Sequence, residues 1–132
     1  MSPEETRMIE AIDRSREKLH KIARRIWEFK EVGWEEFNSS LLLMNELERE
    51  GFEVERGLTG RHPKFDQEID MPTAFKAVFR GKEDGPVVGV LLEYDALPNG
   101  HACGHNLISS AGFAAALGLK EAFQEKGTVV VY

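Results

Sequence analysis

The stretch from Pro86 to Asn106 limits the fold more than any other part of the chain. Its first half, Val87-Val88-Gly89-Val90-Leu91-Leu92, is nearly all apolar and of strand length. A strand of that composition is expected to be covered on both faces. It ends in three polar residues, Glu93-Tyr94-Asp95, and Pro98-Asn99-Gly100 then turns the chain back. His101, Cys103 and His105 follow at alternate positions. From residue 107 to 126, LISSAGFAAALGLKEAFQEK reads as a helix whose Ala and Gly residues let it lie close to a sheet. Gly127 ends it, and Thr128-Val129-Val130-Val131-Tyr132 opens another strand. Strand, helix and strand in that order suggest a right-handed crossover. Open α/β sheets place their sites outside the carboxyl ends of such strands.

The chain before this stretch supplies two helices and two strands. Ser2-Pro3-Glu4-Glu5 is a helix start, with a capping hydroxyl, proline in the first turn and acids behind it. Met8, Ile9, Ile12, Leu19, Ile22, Ile26 and Trp27 recur at helical spacing, which predicts one amphipathic helix over residues 3 to 30 with a gap around Ser15. A second helix is expected from residue 35 to 50, stopped by Gly51. Phe52 to Arg56 alternates as a short strand. Residues 57 to 71, with Gly57, Gly60, Pro63, Asp66 and Asp70, read as a surface loop in which His62 is solvated. Thr73 to Arg80 alternates as a strand with one wetter face, and residues 81 to 85 as a hairpin-like turn. The order α-α-β-β-β-α-β predicts an α/β fold, a mixed β-sheet flanked by helices, in a single domain spanning residues 1 to 132.

Composition excludes several function classes. The net charge of −6 argues against non-specific nucleic-acid binding, which needs a basic surface. No apolar run approaches the roughly 20 residues of a membrane span, and the N-terminus lacks the apolar core of a signal peptide. One cysteine allows no internal disulfide and suits a reducing, cytoplasmic setting. A nucleotide-binding strand-helix-strand unit is disfavoured, because neither G-x-G-x-x-G nor a P-loop lysine is present.

The chemistry sits in the loop. Cys103 and His105 are both good ligands for zinc or a similar borderline metal, and Gly104 between them lets the backbone turn tightly. Asn106 is placed to cap the following helix. Asp95 and Glu93, at the end of the buried strand, can bind a metal directly or hold a ligand imidazole from behind. A catalytic zinc needs three protein ligands and an open position, and the third here is Asp95, Glu93 or His101. Each residue also has a plain reading: Cys103 as a small hydrophobe, a histidine as a cap or surface residue, Asp95 as a turn former. Their convergence within thirteen residues at a strand-loop-helix junction favours the metal.

The string EYDALPNGHACGHN resembles the M20 metallopeptidase family, and within it the amidohydrolase branch of aminobenzoyl-glutamate hydrolases and N-acyl-amino-acid hydrolases. IWEFKEVGWEEF, LLLMNELEREGFEVERG, MPTAFKAVF and GFAAALGLKEAF are similar to that branch as well, so the resemblance covers nearly the whole chain. It implies the N-terminal portion of a zinc-exopeptidase-like (phosphorylase/hydrolase-like) catalytic domain, in an enzyme with two metals and an inserted dimerisation or lid domain. Cys103 and His105 match the first two metal ligands. Asp95 matches the catalytic-site aspartate that orients a ligand near the metals. Glu93 falls where distant members carry a ligand histidine and is not assigned. Lys30 stands where many relatives have proline. The family's paired glutamates, one a general base and one a ligand, are expected soon after Tyr132, with later histidine ligands and the lid. The cofactor implied is a divalent metal, zinc first, with manganese or cobalt as alternatives. The implied partner is a small N-acyl amino acid or dipeptide-like substrate, with homodimerisation through the inserted domain. Residues 1 to 132 are then expected to be an incomplete domain, inert alone. The alternative is a non-catalytic α/β module that keeps the motif as structure.

Overall fold

The computed structural model describes residues 1–132. The first amphipathic stretch forms two helices rather than one, α1 (Pro3–Arg14) and α2 (Arg16–Phe29). They part at Ser15, whose φ of −93° and ψ of 2° leave the helical region. The expected start of α1 is present as a full capping box. The Ser2 hydroxyl accepts from the Glu5 amide, and the Glu5 carboxylate accepts from the Ser2 amide. The break lets α1 fold across α4 (His105–Ala122) while α2 packs against both α4 and α3 (Phe37–Arg49). A Cβ on Gly118 of α4 would meet Ile12 Cδ1 at 3.2 Å and Met8 Cβ at 3.6 Å, so glycine sets how closely α1 lies.

α2 ends at Lys30, which takes a left-handed conformation at φ 50°. Proline, fixed near φ −65°, cannot adopt it, so this junction requires a residue other than proline. The next residue, Glu31, caps α3 from outside the helix. Its carboxylate accepts from the Asn38 and Ser39 amides, each at 2.8 Å, and from Asn38 Nδ2 at 2.8 Å. Burial pushes the Glu31 carboxyl up, but the bonds from Ser39 and Asn38 outweigh it and hold the group below the usual carboxylate range. Lys18 of α2 reaches Glu50 at 2.5 Å and Glu46 at 3.5 Å, tying α2 to the far end of α3.

The sheet has four strands in the order β1-β2-β4-β3, comprising β1 (Glu53–Arg61), β2 (Glu68–Arg80), β3 (Glu83–Val90) and β4 (Lys126–Val131). β1 and β2 are antiparallel, as are β2 and β4, while β4 and β3 run parallel. The mixed sheet and its helical cover agree with the sequence reading, but three local expectations need correcting. Residues 57 to 71 are loop only from 62 to 67: β1 runs on to Arg61, with a bulge at Gly57, φ 68°, and pairs with the first part of β2, which begins at Glu68. Residues 81 to 85 do not make a hairpin, because β4 inserts between β2 and β3. Nor is β3 covered on both faces: it is an edge strand, and Val87 and Leu91 are about 70% exposed (69% and 71%). Burial falls on alternate residues: Val90 packs partly buried against the core, and beyond the strand Leu92, Tyr94 and Ala96 are buried.

One core joins the layers. Ile22 and Ile26 of α2, Leu43 and Leu47 of α3, Phe75 and Ala77 of β2, Phe113 and Ala116 of α4 and Val129 and Val131 of β4 are all buried within it. α4 touches the strand end closely at Gly112, where a Cβ would collide with Leu92 Cδ2 and stand 3.1 Å from the Leu91 carbonyl oxygen.

Two outcomes follow from these contacts. Gly112→Ala is expected to destabilise by about 1–3 kcal/mol through overpacking, more than the ~1 kcal/mol that alanine gains over glycine in a helix; thermal unfolding followed by circular dichroism should show a lower Tm. Glu31→Gln is expected to cost about 1 kcal/mol at pH 7 through loss of a charged cap. The folded Glu31 pKa lies below its unfolded value, so its contribution is present above the ordinary carboxylate pKa of about 4.3 and lost as pH falls through the folded value. The stability gap between wild type and Glu31→Gln should therefore close on acidification.

Candidate functional site

Beyond β3 the chain keeps strand alternation. The Leu92 amide donates to the Tyr132 carbonyl at 2.7 Å, and the Tyr132 amide to the Val90 carbonyl at 2.9 Å, so pairing with the end of β4 continues. Leu92, Tyr94 and Ala96 point inward. Tyr94 is the anchor: its hydroxyl donates to the Thr73 carbonyl at 2.5 Å and its ring stacks on Phe75, centroids 6.0 Å apart. Burial, then the Glu36 and Asp95 charges, push its phenol well above the ordinary range. The Ala96 amide donates to the Glu31 carbonyl at 2.7 Å, fixing this segment to the α2–α3 junction. The alternate residues, Glu93 and Asp95, must then point the other way.

They point to His105. Leu97 and Gly100 exchange backbone hydrogen bonds across the expected Pro98-Asn99 turn. Gly104, at φ 79°, is the N-cap of α4 and makes His105 the first residue of the helix. Asn106 does not cap α4 as the sequence suggested. It lies inside the helix and donates from Nδ2 to the Ala23 carbonyl at 3.2 Å. His105 Nδ1 lies 2.7 Å from Asp95 Oδ1, and its Nε2 lies 3.4 Å from Glu93 Oε2. In the neutral ring, donation from Nδ1 to Asp95 leaves the Nε2 lone pair on the side of Glu93, at a separation too long for a good hydrogen bond. A carboxylate behind one imidazole nitrogen, with the other free, is the arrangement that orients a metal-ligating histidine.

The structure thus brings Asp95, Glu93 and His105 together. Cys103 is exposed in the loop two residues before His105. His101 turns away toward α2, its Nε2 2.9 Å from the Ile26 carbonyl. No group of three or more His, Cys, Asp or Glu side chains is arranged to hold a metal ion. The donor chemistry of His105, with Asp95 behind it, fits part of a divalent-cation shell, and these residues by themselves form no complete one.

A cleft of about 360 Å³ adjoins the carboxylates, lined by Glu93, Tyr94, Asp95, Trp34, Glu36 and Thr73 among others. Glu36 is nine-tenths buried and accepts from the Thr73 hydroxyl at 2.7 Å. Trp34 is exposed at φ 73°, a conformation that bulky residues adopt rarely and that marks stored strain. Neither Trp34 nor Glu36 stood out in the sequence. The one available signal was position, since both lie in the short break between two helices, where a strained backbone has room.

No family model matches the chain. It is 37% identical to a p-aminobenzoyl-glutamate hydrolase component of Escherichia coli (strain K12) over an alignment of 145 residues that takes in 93% of this chain and 27% of that protein. It is 37% identical to the Xaa-Arg dipeptidase of Homo sapiens over 127 residues, 89% of this chain and 28% of the relative. It is 32% identical over 100 residues to thermostable carboxypeptidase 1 of Saccharolobus solfataricus, 64% of this chain and 23% of the relative. The chain therefore spans about a quarter of the length of the curated relatives it matches. By homology it belongs with the M20 peptidases and amidohydrolases, and it corresponds to part of such a hydrolase.

Proposed function

We propose that this chain is the N-terminal part of the catalytic domain of a metal-dependent amidohydrolase that cleaves the amide bond of an N-acyl amino acid or dipeptide-like substrate. The observation that carries the reading is the His105 imidazole held through Nδ1 by Asp95 at 2.7 Å, with Nε2 facing the Glu93 carboxylate at 3.4 Å. Similarity to a p-aminobenzoyl-glutamate hydrolase and to a dipeptidase supports the amide-bond class. No helix is long and apolar enough to cross a membrane. A cytoplasmic setting belongs to the proposal and rests on the lone cysteine.

In this reading His105 and Cys103 are donors to a divalent cation, zinc, manganese or cobalt, and Asp95 fixes the His105 ring and its tautomer. The cation, when bound, supplies Lewis acidity toward water and the scissile carbonyl. Asp95 keeps the Nδ1 proton in place and so leaves Nε2 as the donor atom. Glu93 adds negative charge on the Nε2 side. The remaining donors and the general base come from residues outside these 132, so the chain alone is inert in amide hydrolysis.

The test is a chimera in which this chain replaces the matching quarter of the Escherichia coli relative. Chelator-sensitive hydrolysis of p-aminobenzoyl-glutamate, abolished by Cys103→Ser and by His105→Ala, is expected. A folded, metal-loaded chimera without activity would favour the non-catalytic module instead. Asp95→Asn in the chimera is expected to weaken metal affinity about 10- to 100-fold, read by competition with a chromogenic chelator. For the 132-residue chain alone, no hydrolysis of N-acyl amino acids is expected with zinc, manganese or cobalt added; chelator-sensitive turnover there would overturn its inertness.

A further inference from the structure

Three side chains on the His105 side of the fold donate to backbone carbonyls of α2. Ser110 Oγ reaches the Leu19 carbonyl at 2.7 Å, Asn106 Nδ2 the Ala23 carbonyl at 3.2 Å, and His101 Nε2 lies 2.9 Å from the Ile26 carbonyl. Residues 19, 23 and 26 are spaced i, i+4 and i+7, which places them on one face of α2. The donors descend as the acceptors rise, so the rungs run along two antiparallel partners and end on the site loop. The top rung differs from the other two. Asn106 and Ser110 belong to α4, whose own backbone bonds already order them, whereas His101 lies in the loop. Between Leu97 and Gly104 every other hydrogen bond is local, made within the loop or to the first turn of α4. His101 makes the one hydrogen bond from this segment to a separate element.

Because a carbonyl can only accept, Nε2 of His101 must carry the proton. In the neutral ring Nδ1 is then a bare acceptor, and it is buried with no hydrogen-bond partner. The ring's one hydrogen bond is therefore the one at Nε2. Its acceptor is also well placed. Ile26 lies in the last turn of α2, where its carbonyl has only the Lys30 amide at 3.3 Å and where the negative end of the helix favours a donor.

We propose that His101 is a positioning residue: by clamping the loop to the C-terminal turn of α2, it sets where His105 stands relative to Asp95 and Glu93. The proposal rests on the reading of His105 as a donor held by Asp95, but its test needs no metal. The probe is the His105 ring in the metal-free 132-residue chain, observed by nitrogen-15 and proton NMR of the Nδ1–H that faces Asp95. Wild type is expected to show the Nδ1-protonated tautomer with a slowly exchanging proton. His101→Ala is expected to speed that exchange at least tenfold with the core still folded, and His101→Gln, which returns an N–H donor, to restore most of the protection. Ser110→Ala, the rung farthest from the loop, is expected to lower the Tm and leave the His105 proton unchanged. If His101→Ala does not fold, His101→Met fills the space without a donor and replaces it in the comparison.

Exchange within twofold of wild type in His101→Ala, failure of His101→Gln to rescue, or absence of the protected proton in wild type would each overturn the proposal. Failure of both His101→Ala and His101→Met to fold would also overturn it, by making His101 a requirement of the fold itself. Titration with zinc separates this inference from the functional one. A wild type with the protected proton whose zinc affinity is unaffected by His105→Ala would sink the donor assignment and leave the clamp standing.

Discussion

The site depends on the burial of Tyr94. A strand that has run out of named sheet has no obligation to keep its alternation, yet residues 92 to 96 keep theirs. Tyr94 enforces it with a hydroxyl bonded to the Thr73 carbonyl and a ring stacked on Phe75. With Leu92 and Ala96 also turned inward, Glu93 and Asp95 share the outer side, where one imidazole meets both. The polar tip of the tyrosine finds a buried partner as its aromatic body fills the core. Core packing and site geometry are therefore set by the same side chain.

Helix α4 supplies the other half of that geometry. Its small residues are where the close approaches occur: Gly112 lies on the Leu92 side chain and the Leu91 carbonyl, and Gly118 on α1. The helix therefore sits low on the sheet edge, and its first residue arrives beside the strand end. Gly104, in a left-handed conformation with no side-chain cap, starts α4 abruptly enough that His105 faces Asp95 one residue later. The ladder to α2 then fixes the helix in rotation as well as height.

Much of this was legible in the sequence, and the failures have physical causes. The strand-helix-strand order, the Gly51 stop and the Pro98-Asn99-Gly100 turn were readable because each rests on local chemistry. The break at Ser15 was visible only as a gap, since helical periodicity resumes almost in phase after it. Residues 57 to 71 looked like a loop because Gly57, Gly60 and Pro63 are turn formers; here Gly57 forms a bulge, and the pairing runs on through its neighbours. The apolar run at Val87 read as doubly covered, whereas its outward residues are exposed at an edge. Glu31 was missed as a cap because it acts on amides seven and eight positions away, across a break that no short window spans. Asp95, Cys103 and His105 were singled out by residue type, but the pairing of Asp95 with His105 depends on which way the strand faces, and that is decided by Tyr94.

The two segments that flank the site differ in how they can bear a change of length. An insertion or deletion of one residue between Val90 and Tyr94 would exchange the two faces. It would drive a carboxylate into the pocket now filled by the tyrosine ring and leave the imidazole facing an apolar chain. The Pro98–Gly100 turn is closed by its own backbone bonds, so it can lengthen with little effect on what lies either side. Variation in chain length is thus tolerated within the Pro98–Gly100 turn and blocked between Val90 and Tyr94, where one buried hydroxyl fixes the alternation.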